Sequence, residues 1–168
     1  GKMNYDHLLD FSVLSNDVQV YDDSTNAELI ERIQGATVVV TKEIPVGPEL
    51  LSQFPESVKL IVEAGTGYNN IDLDAARAKG ITVCNIPAYS TERVAHTAIM
   101  MLLNFASTMQ QQIGMLARGD RSNFTKHLQV PHTEVNGKTL GIIGAGHIGM
   151  AVVKVARALD MNILIHTR

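Results

Sequence analysis

Toward its C-terminal end the chain reads Thr139-Leu140-Gly141-Ile142-Ile143, an apolar run of strand character. It passes directly into Gly144-Ala145-Gly146-His147-Ile148-Gly149. Apolar residues then recur at Ile148, Ala151, Val152, Val155, Ala156 and Leu159, the spacing of a helix with one apolar face, while Lys154 and Arg157 face away. A second apolar run, Asn162-Ile163-Leu164-Ile165-His166, closes the unit. A G-x-G-x-x-G turn that leaves a strand and opens a helix within about 30 residues is the opening of a dinucleotide-binding fold. Each glycine has a physical task there. Gly144 permits the tight turn, Gly146 lets the backbone approach a pyrophosphate, and Gly149 lets helix and strand pack closely. The helix N-terminus, with His147 and Ile148 in its first turn, offers unpaired N–H groups and partial positive charge to phosphates. An ordinary strand-to-helix turn with incidental glycines is the plainer alternative.

The end of the second strand bears on which dinucleotide is held. NAD sites carry an Asp or Glu there for the ribose 2′-OH. Here the strand ends in His166-Thr167-Arg168, and Asp160 falls too early to reach a ribose. A small hydroxyl residue followed by Arg suits a 2′-phosphate, which a guanidinium grips through paired hydrogen bonds. Thr167 and Arg168 therefore favour NADP over NAD. The alternative leaves Arg168 a solvated strand end with an acid just beyond it.

The net charge of −3 gives a nucleic acid or an acidic membrane no electrostatic support. The single cysteine, Cys84, makes no intramolecular disulfide and no cysteine-based zinc site, which fits a reducing cytoplasm. It lies in the apolar run Ile81–Asn85 and reads as a core residue. The start of the chain is polar, without a signal-peptide pattern, and the apolar run Ile99–Leu103 is far short of the roughly 20 residues that span a bilayer. His7, His127, His132 and His166 have no metal-ligand spacing, so no metal site is expected.

Along the rest of the chain, Val18–Tyr21 reads as a strand. Thr25-Asn26-Ala27-Glu28 is a capping box that opens a helix. Strands are expected at residues 36–41, 58–64 and 81–85. Between them, Pro48 starts a short helix, and Asp72 caps another that Gly80 ends. This alternation predicts a parallel sheet covered on both faces. A long helix follows over about 91–107 and another over about 110–117. Residues 120–136 then form a polar, non-periodic connection. The expected organisation is a substrate domain over 1–90, bridging helices and a connection over 91–136, and the first βαβ of a Rossmann domain over 137–168. Two parallel strands and one helix cannot cover both sheet faces, so the chain reads as a fragment or as completed by another chain.

Two further segments carry a resemblance. They are Val62-Glu63-Ala64-Gly65-Thr66-Gly67-Tyr68-Asn69-Asn70-Ile71-Asp72 and the stretch from Gly80 to Ala95 that includes Asn85-Ile86-Pro87-Ala88-Tyr89-Ser90-Thr91. With the Gly144 turn they resemble the D-isomer-specific 2-hydroxyacid dehydrogenases over nearly the whole chain, most like the hydroxypyruvate/glyoxylate reductase and glycerate dehydrogenase branch. The resemblance implies an α/β protein in which a flavodoxin-like substrate domain precedes a Rossmann domain, with the active site in the cleft between them. It also implies that the backbone of Gly65, Thr66 and Gly67 holds the substrate carboxylate. Consecutive N–H groups in a turn do form an anion-binding concavity, although a plain strand-to-helix turn before Asp72 would read the same. The family's catalytic Arg, carboxylate and His would fall after Arg168, so no catalytic residue is expected within this chain and the fragment alone is expected to be inactive. His96 stands where the family has Glu or Gln, so no cofactor contact is carried over to it.

The implied reaction is reduction of a small 2-keto acid such as hydroxypyruvate or glyoxylate by NADP(H) or NAD(H), in a homodimer. Met100, Met101, Met109 and Met115 read as core or subunit-interface packing. Rival readings are a relative acting on phosphoglycerate, a lactate-type acid or formate, or a nucleotide-sensing binding protein on the same scaffold.

Overall fold

The computed structural model describes residues 3–167, which fall into two compact units, one ending at Tyr89 and the other beginning at Ser90. The first is built on three parallel strands, β1 (Val38–Thr41), β2 (Leu60–Glu63) and β3 (Thr82–Cys84), paired in that order. Its helices are α1 (Asn26–Arg32), α2 (Pro48–Ser52) and α3 (Leu73–Ala78). Each starts where the local chemistry dictates. The Thr25 hydroxyl accepts from the Glu28 N–H while the Glu28 carboxylate accepts from the Thr25 N–H, the reciprocal capping box. Pro48 sits in the first turn of α2, where its missing N–H costs nothing, and Asp72 caps α3 through the Ala75 N–H.

The strand register explains the core. Val39, Ile61 and Val83 stand side by side on one sheet face, and against them pack Leu29 and Ile33 from the α1 segment, Leu50 and Leu51 from α2, Ala76 from α3, and Phe54. On the opposite face Val38 and Val40 are about half exposed. The sheet is therefore covered on one face among the described residues, not on both as its near-continuous apolar runs predict. Cys84 belongs to the same uncovered side, on a strand that pairs only with β2, and it is exposed rather than a core residue. Val18–Tyr21 forms no strand and pairs with no described strand. Its residues are exposed, and Tyr21 lies beneath the Arg32 guanidinium, 4.4 Å from its ring centre. Apolar alternation predisposes backbone to extend, but only a neighbour's N–H and C=O groups make a strand.

The second unit carries α4 (Thr91–Ser107), α5 (Met109–Ala117), the single turn α6 (Ser122–Thr125), β4 (Thr139–Ile143), α7 (His147–Ala158) and β5 (Asn162–His166). Thr108, in the left-handed region at φ 51°, turns the chain between α4 and α5, and its hydroxyl donates to the Pro131 carbonyl. β4 and β5 are parallel, in register from Thr139–Asn162 to Ile143–His166. Ala95 and Ile99 of α4 pack on Val152 of α7, with Leu140 and Ile142 of β4 against the same cluster. Because α7 touches α4 as well as β4 and β5, its buried surface is wider than the predicted stripe and takes in Val153. Met115 is buried, whereas Met100, Met101 and Met109 are about half exposed. No helix among the described residues is long and apolar enough to cross a membrane.

Candidate functional site

Two loops at strand ends gather the sequence-predicted residues, one in each unit. The first is Gly65-Thr66-Gly67, at the C-terminal end of β2, the end of a parallel sheet where ligands bind in open α/β folds. It is held from both sides. Toward β3, the Gly65 carbonyl accepts from the Ile86 N–H, the Thr66 hydroxyl donates to the Ile86 carbonyl at 3.1 Å, and the Asn85 amide donates to the Thr66 carbonyl at 2.8 Å. Further along, Val46 and Ile71 form a parallel bridge, with Val46 N–H on the Asn70 carbonyl and Asp72 N–H on the Val46 carbonyl. The Gly65 and Thr66 carbonyls and the Thr66 hydroxyl thus hold the loop's shape. The N–H groups of Gly65, Thr66 and Gly67 donate to nothing among the described residues, which leaves a rigid set of donors for an anion.

Sequence reasoning missed what lies beneath this loop. Glu63, the last residue of β2, is fully buried. Its carboxylate accepts from the Thr41 hydroxyl, the Glu43 N–H and the Asn70 amide, each at 3.0 Å. Asn70 also donates to the Ile44 carbonyl at 2.8 Å. One side chain therefore ties the ends of β1 and β2 to the far side of the loop. Burying a carboxylate is costly unless several donors meet it, and three do. The signal was legible: Leu60-Ile61-Val62-Glu63 is an apolar strand that ends in a charge on its core-facing side. A partner for that charge had to exist nearby.

The second loop is Gly144–Gly149. Gly144 adopts φ +95°, open to glycine at no cost, and its N–H donates to the His166 carbonyl. A Cβ on Gly149 would collide with the Gly144 carbonyl oxygen. Over Gly146 the space is open. α7 has no side-chain cap, its first backbone bond runs from the Met150 N–H to the Gly146 carbonyl, and the N–H groups of His147, Ile148 and Gly149 donate to nothing among the described residues. Unfilled donors at the start of a 12-residue helix, with clear space above the preceding glycine, fit a pyrophosphate. His147 is exposed in the first turn, Ile148 is partly exposed beside it, and Thr167 is exposed just after β5. Arg168, the other half of the 2′-phosphate expectation, lies outside the described residues.

The histidines gather nothing. His96 stands 3.8 Å from Glu92 on the exposed face of α4. Among the described residues no group of three or more His, Cys, Asp or Glu side chains could hold a metal ion.

A three-stranded parallel unit followed by a strand–turn–helix–strand unit with a glycine-rich turn defines the class: an α/β protein in which a flavodoxin-like domain precedes the start of a Rossmann domain. Residues 7–156 match the family described as D-isomer specific 2-hydroxyacid dehydrogenase, catalytic domain, and the chain belongs to that family. It is 39% identical over 150 residues to a D-3-phosphoglycerate dehydrogenase of Methanocaldococcus jannaschii, covering 88% of this chain and 28% of that one. It is 34% identical over 142 residues to a glycerate dehydrogenase of Methylorubrum extorquens, covering 83% and 45%. Among solved structures, a glyoxylate reductase from Paecilomyes thermophila superposes with a TM-score of 0.80 at 30% identity, covering 94% of this chain and 51% of that one. The chain spans less than half the length of both relatives. The family takes NAD(H) or NADP(H).

Proposed function

We propose that this chain supplies the substrate-carboxylate loop and the pyrophosphate turn of an enzyme that reduces a small 2-keto acid, hydroxypyruvate or glyoxylate, to the D-2-hydroxy acid. The observation that carries the reading is the pair of donor sets left unfilled by the fold: the Gly65–Gly67 N–H groups and those at the start of α7. A bound nicotinamide dinucleotide supplies the hydride for such a reduction. The chain's own part is to bind and orient. Gly65, Thr66 and Gly67 hold the carboxylate through backbone donors, so the keto carbon is fixed by the substrate's own geometry. Gly144, Gly146 and Gly149, with the first turn of α7 at His147 and Ile148, hold the pyrophosphate. In this reading the Arg, carboxylate and His that complete the chemistry belong to sequence beyond Arg168.

The glyoxylate/hydroxypyruvate assignment draws on the Asn85–Thr91 stretch and on the likeness to the glycerate dehydrogenase and glyoxylate reductase named above. It is weighed against a phosphoglycerate dehydrogenase of higher identity. NADP is favoured over NAD because Thr167, not an acid, follows β5 and Arg168 comes next. A homodimer through α4 and α5 accounts for Phe105 at 84% exposure and for half-exposed Met100, Met101, Met109 and Ile113. The test is steady-state turnover by the full-length protein that carries this chain, with each acid and each cofactor. Sedimentation of the same material tests the dimer.

A further inference from the structure

Gly65 has two charged neighbours. A Cβ built on it would sit 3.2 Å from Glu63 Oε1 and 3.3 Å from Lys42 Nζ. Lys42 follows β1, and only 23% of its side chain is exposed. Its ammonium makes one ion pair, 3.1 Å to Glu43 Oε1 on a side chain that is 63% exposed. An ammonium has three donors, so two are left at the loop. The backbone that delivers Lys42 is unusual as well. Glu43 occupies the left-handed region at φ 59°, and its N–H is held there by Glu63. A non-glycine residue kept in that conformation by a buried side chain is the sort of strain that clusters at ligand sites.

We propose that Lys42 is a substrate-binding residue whose ammonium joins the Gly65–Gly67 N–H groups in holding the carboxylate of the 2-keto acid, with Glu63 as the positioning residue that fixes both. The proposal deepens the reading above and rests on it for the loop's role as a carboxylate site. The electrostatics call for such a cation. Glu63 puts a buried negative charge directly below a loop that is to receive another, and backbone donors alone would work against it. Lys42 supplies the compensating charge, its Nζ and the Glu63 Oε1 lying within 3.3 Å of the same point over Gly65. The Glu43 carboxylate, by its hydrogen bond to Lys42, holds the ammonium above the ordinary lysine range, so the cation persists through the neutral range.

The experiment uses the full-length protein and Lys42→Met, which keeps the apolar stem and removes the charge. Steady-state kinetics are combined with calorimetric titration of glyoxylate and of the dinucleotide, and with melting curves. The proposal expects KM and the glyoxylate Kd to rise about tenfold or more, the size of a lost charge-assisted hydrogen bond. Little change is expected in kcat, dinucleotide Kd or Tm, the pattern of lost uniform binding. Unchanged KM and glyoxylate affinity in a folded variant overturn it. Glu43→Gln is the second variant. It removes the ammonium's competing partner but keeps the backbone N–H that Glu63 uses, so glyoxylate should bind more tightly, and no tightening contradicts the assignment. Should the wild type bind glyoxylate through Lys42 yet turn over no acid, the reductase reading fails and this assignment stands. Should the wild type not bind glyoxylate at all, the assignment falls too.

Discussion

The Cβ that Gly149 lacks would occupy the space of the Gly144 carbonyl oxygen. The first and last glycines of the turn are therefore one steric unit: φ +95° at Gly144 aims that carbonyl at α7, and only glycine at 149 admits it. Gly149→Ala must push the helix off the strand end. Overpacking of this kind costs about 1–3 kcal/mol. Because the displaced turn carries the unfilled N–H groups, dinucleotide affinity should fall more steeply than stability. Titration with NADPH and NADH beside urea unfolding of the same variant checks both.

Gly65→Ala should act in another way. Its new methyl would press on Glu63 Oε1, which the Glu43 N–H holds while Thr41 and Asn70 hold the carboxylate's other oxygen, and on Lys42 Nζ, which can swing away. The expected outcome is a folded protein with a raised KM for the acid and unchanged dinucleotide binding. Paired kinetic and titration measurements read this directly.

Thr41→Val removes one of three donors from the buried Glu63 carboxylate and replaces a hydroxyl by a methyl of similar shape. Hydrogen bonds to charged groups contribute about 1.5–3 kcal/mol, and a loss of that order is expected in urea unfolding. The Gly65 loop should loosen with it, read as faster amide exchange at Glu43, whose N–H the same carboxylate holds.

The capping box gives a pH signature. Glu28 is held below its ordinary value of 4.5, chiefly by the Thr25 N–H and then by the Thr25 hydroxyl and Arg32. A carboxyl whose folded pKa is depressed adds stability above its unfolded value and loses it as pH falls through the folded one. Thr25→Ala should therefore destabilise the protein by about 1 kcal/mol at neutral pH. The gap between variant and wild type should narrow as pH falls below 4.5 and on through the lower value that Glu28 has in the fold. Urea midpoints measured across pH 3–7 would show it.

Local chemistry announced much of this fold. The caps at Thr25 and Asp72, the start of α2 at Pro48, and the whole unit from Thr139 to His166 stand as their residues dictate. These are short-range effects, set by residues within one or two turns. What failed was what depends on distant partners. The strand expected at Val18–Tyr21 finds no partner strand among the described residues, and Cys84 lies on a sheet face that nothing described covers. Of the site, the glycines of both loops were readable because glycine's freedom is visible in sequence. Lys42, Thr41 and Asn70 were not, because 22 residues separate Thr41 from the carboxylate it serves, and only the parallel pairing of β1 with β2 brings them together.

The proposed reduction of a 2-keto acid has a direct test. The most direct measurement is hydroxypyruvate-dependent oxidation of NADPH and of NADH by the full-length protein. Turnover is expected with both cofactors, faster with NADPH. Turnover that favours NADH would keep the reductase and discard the role given to Thr167 and Arg168. Tight dinucleotide binding with no oxidation by hydroxypyruvate or glyoxylate would contradict the account and point to another acid or to a nucleotide sensor.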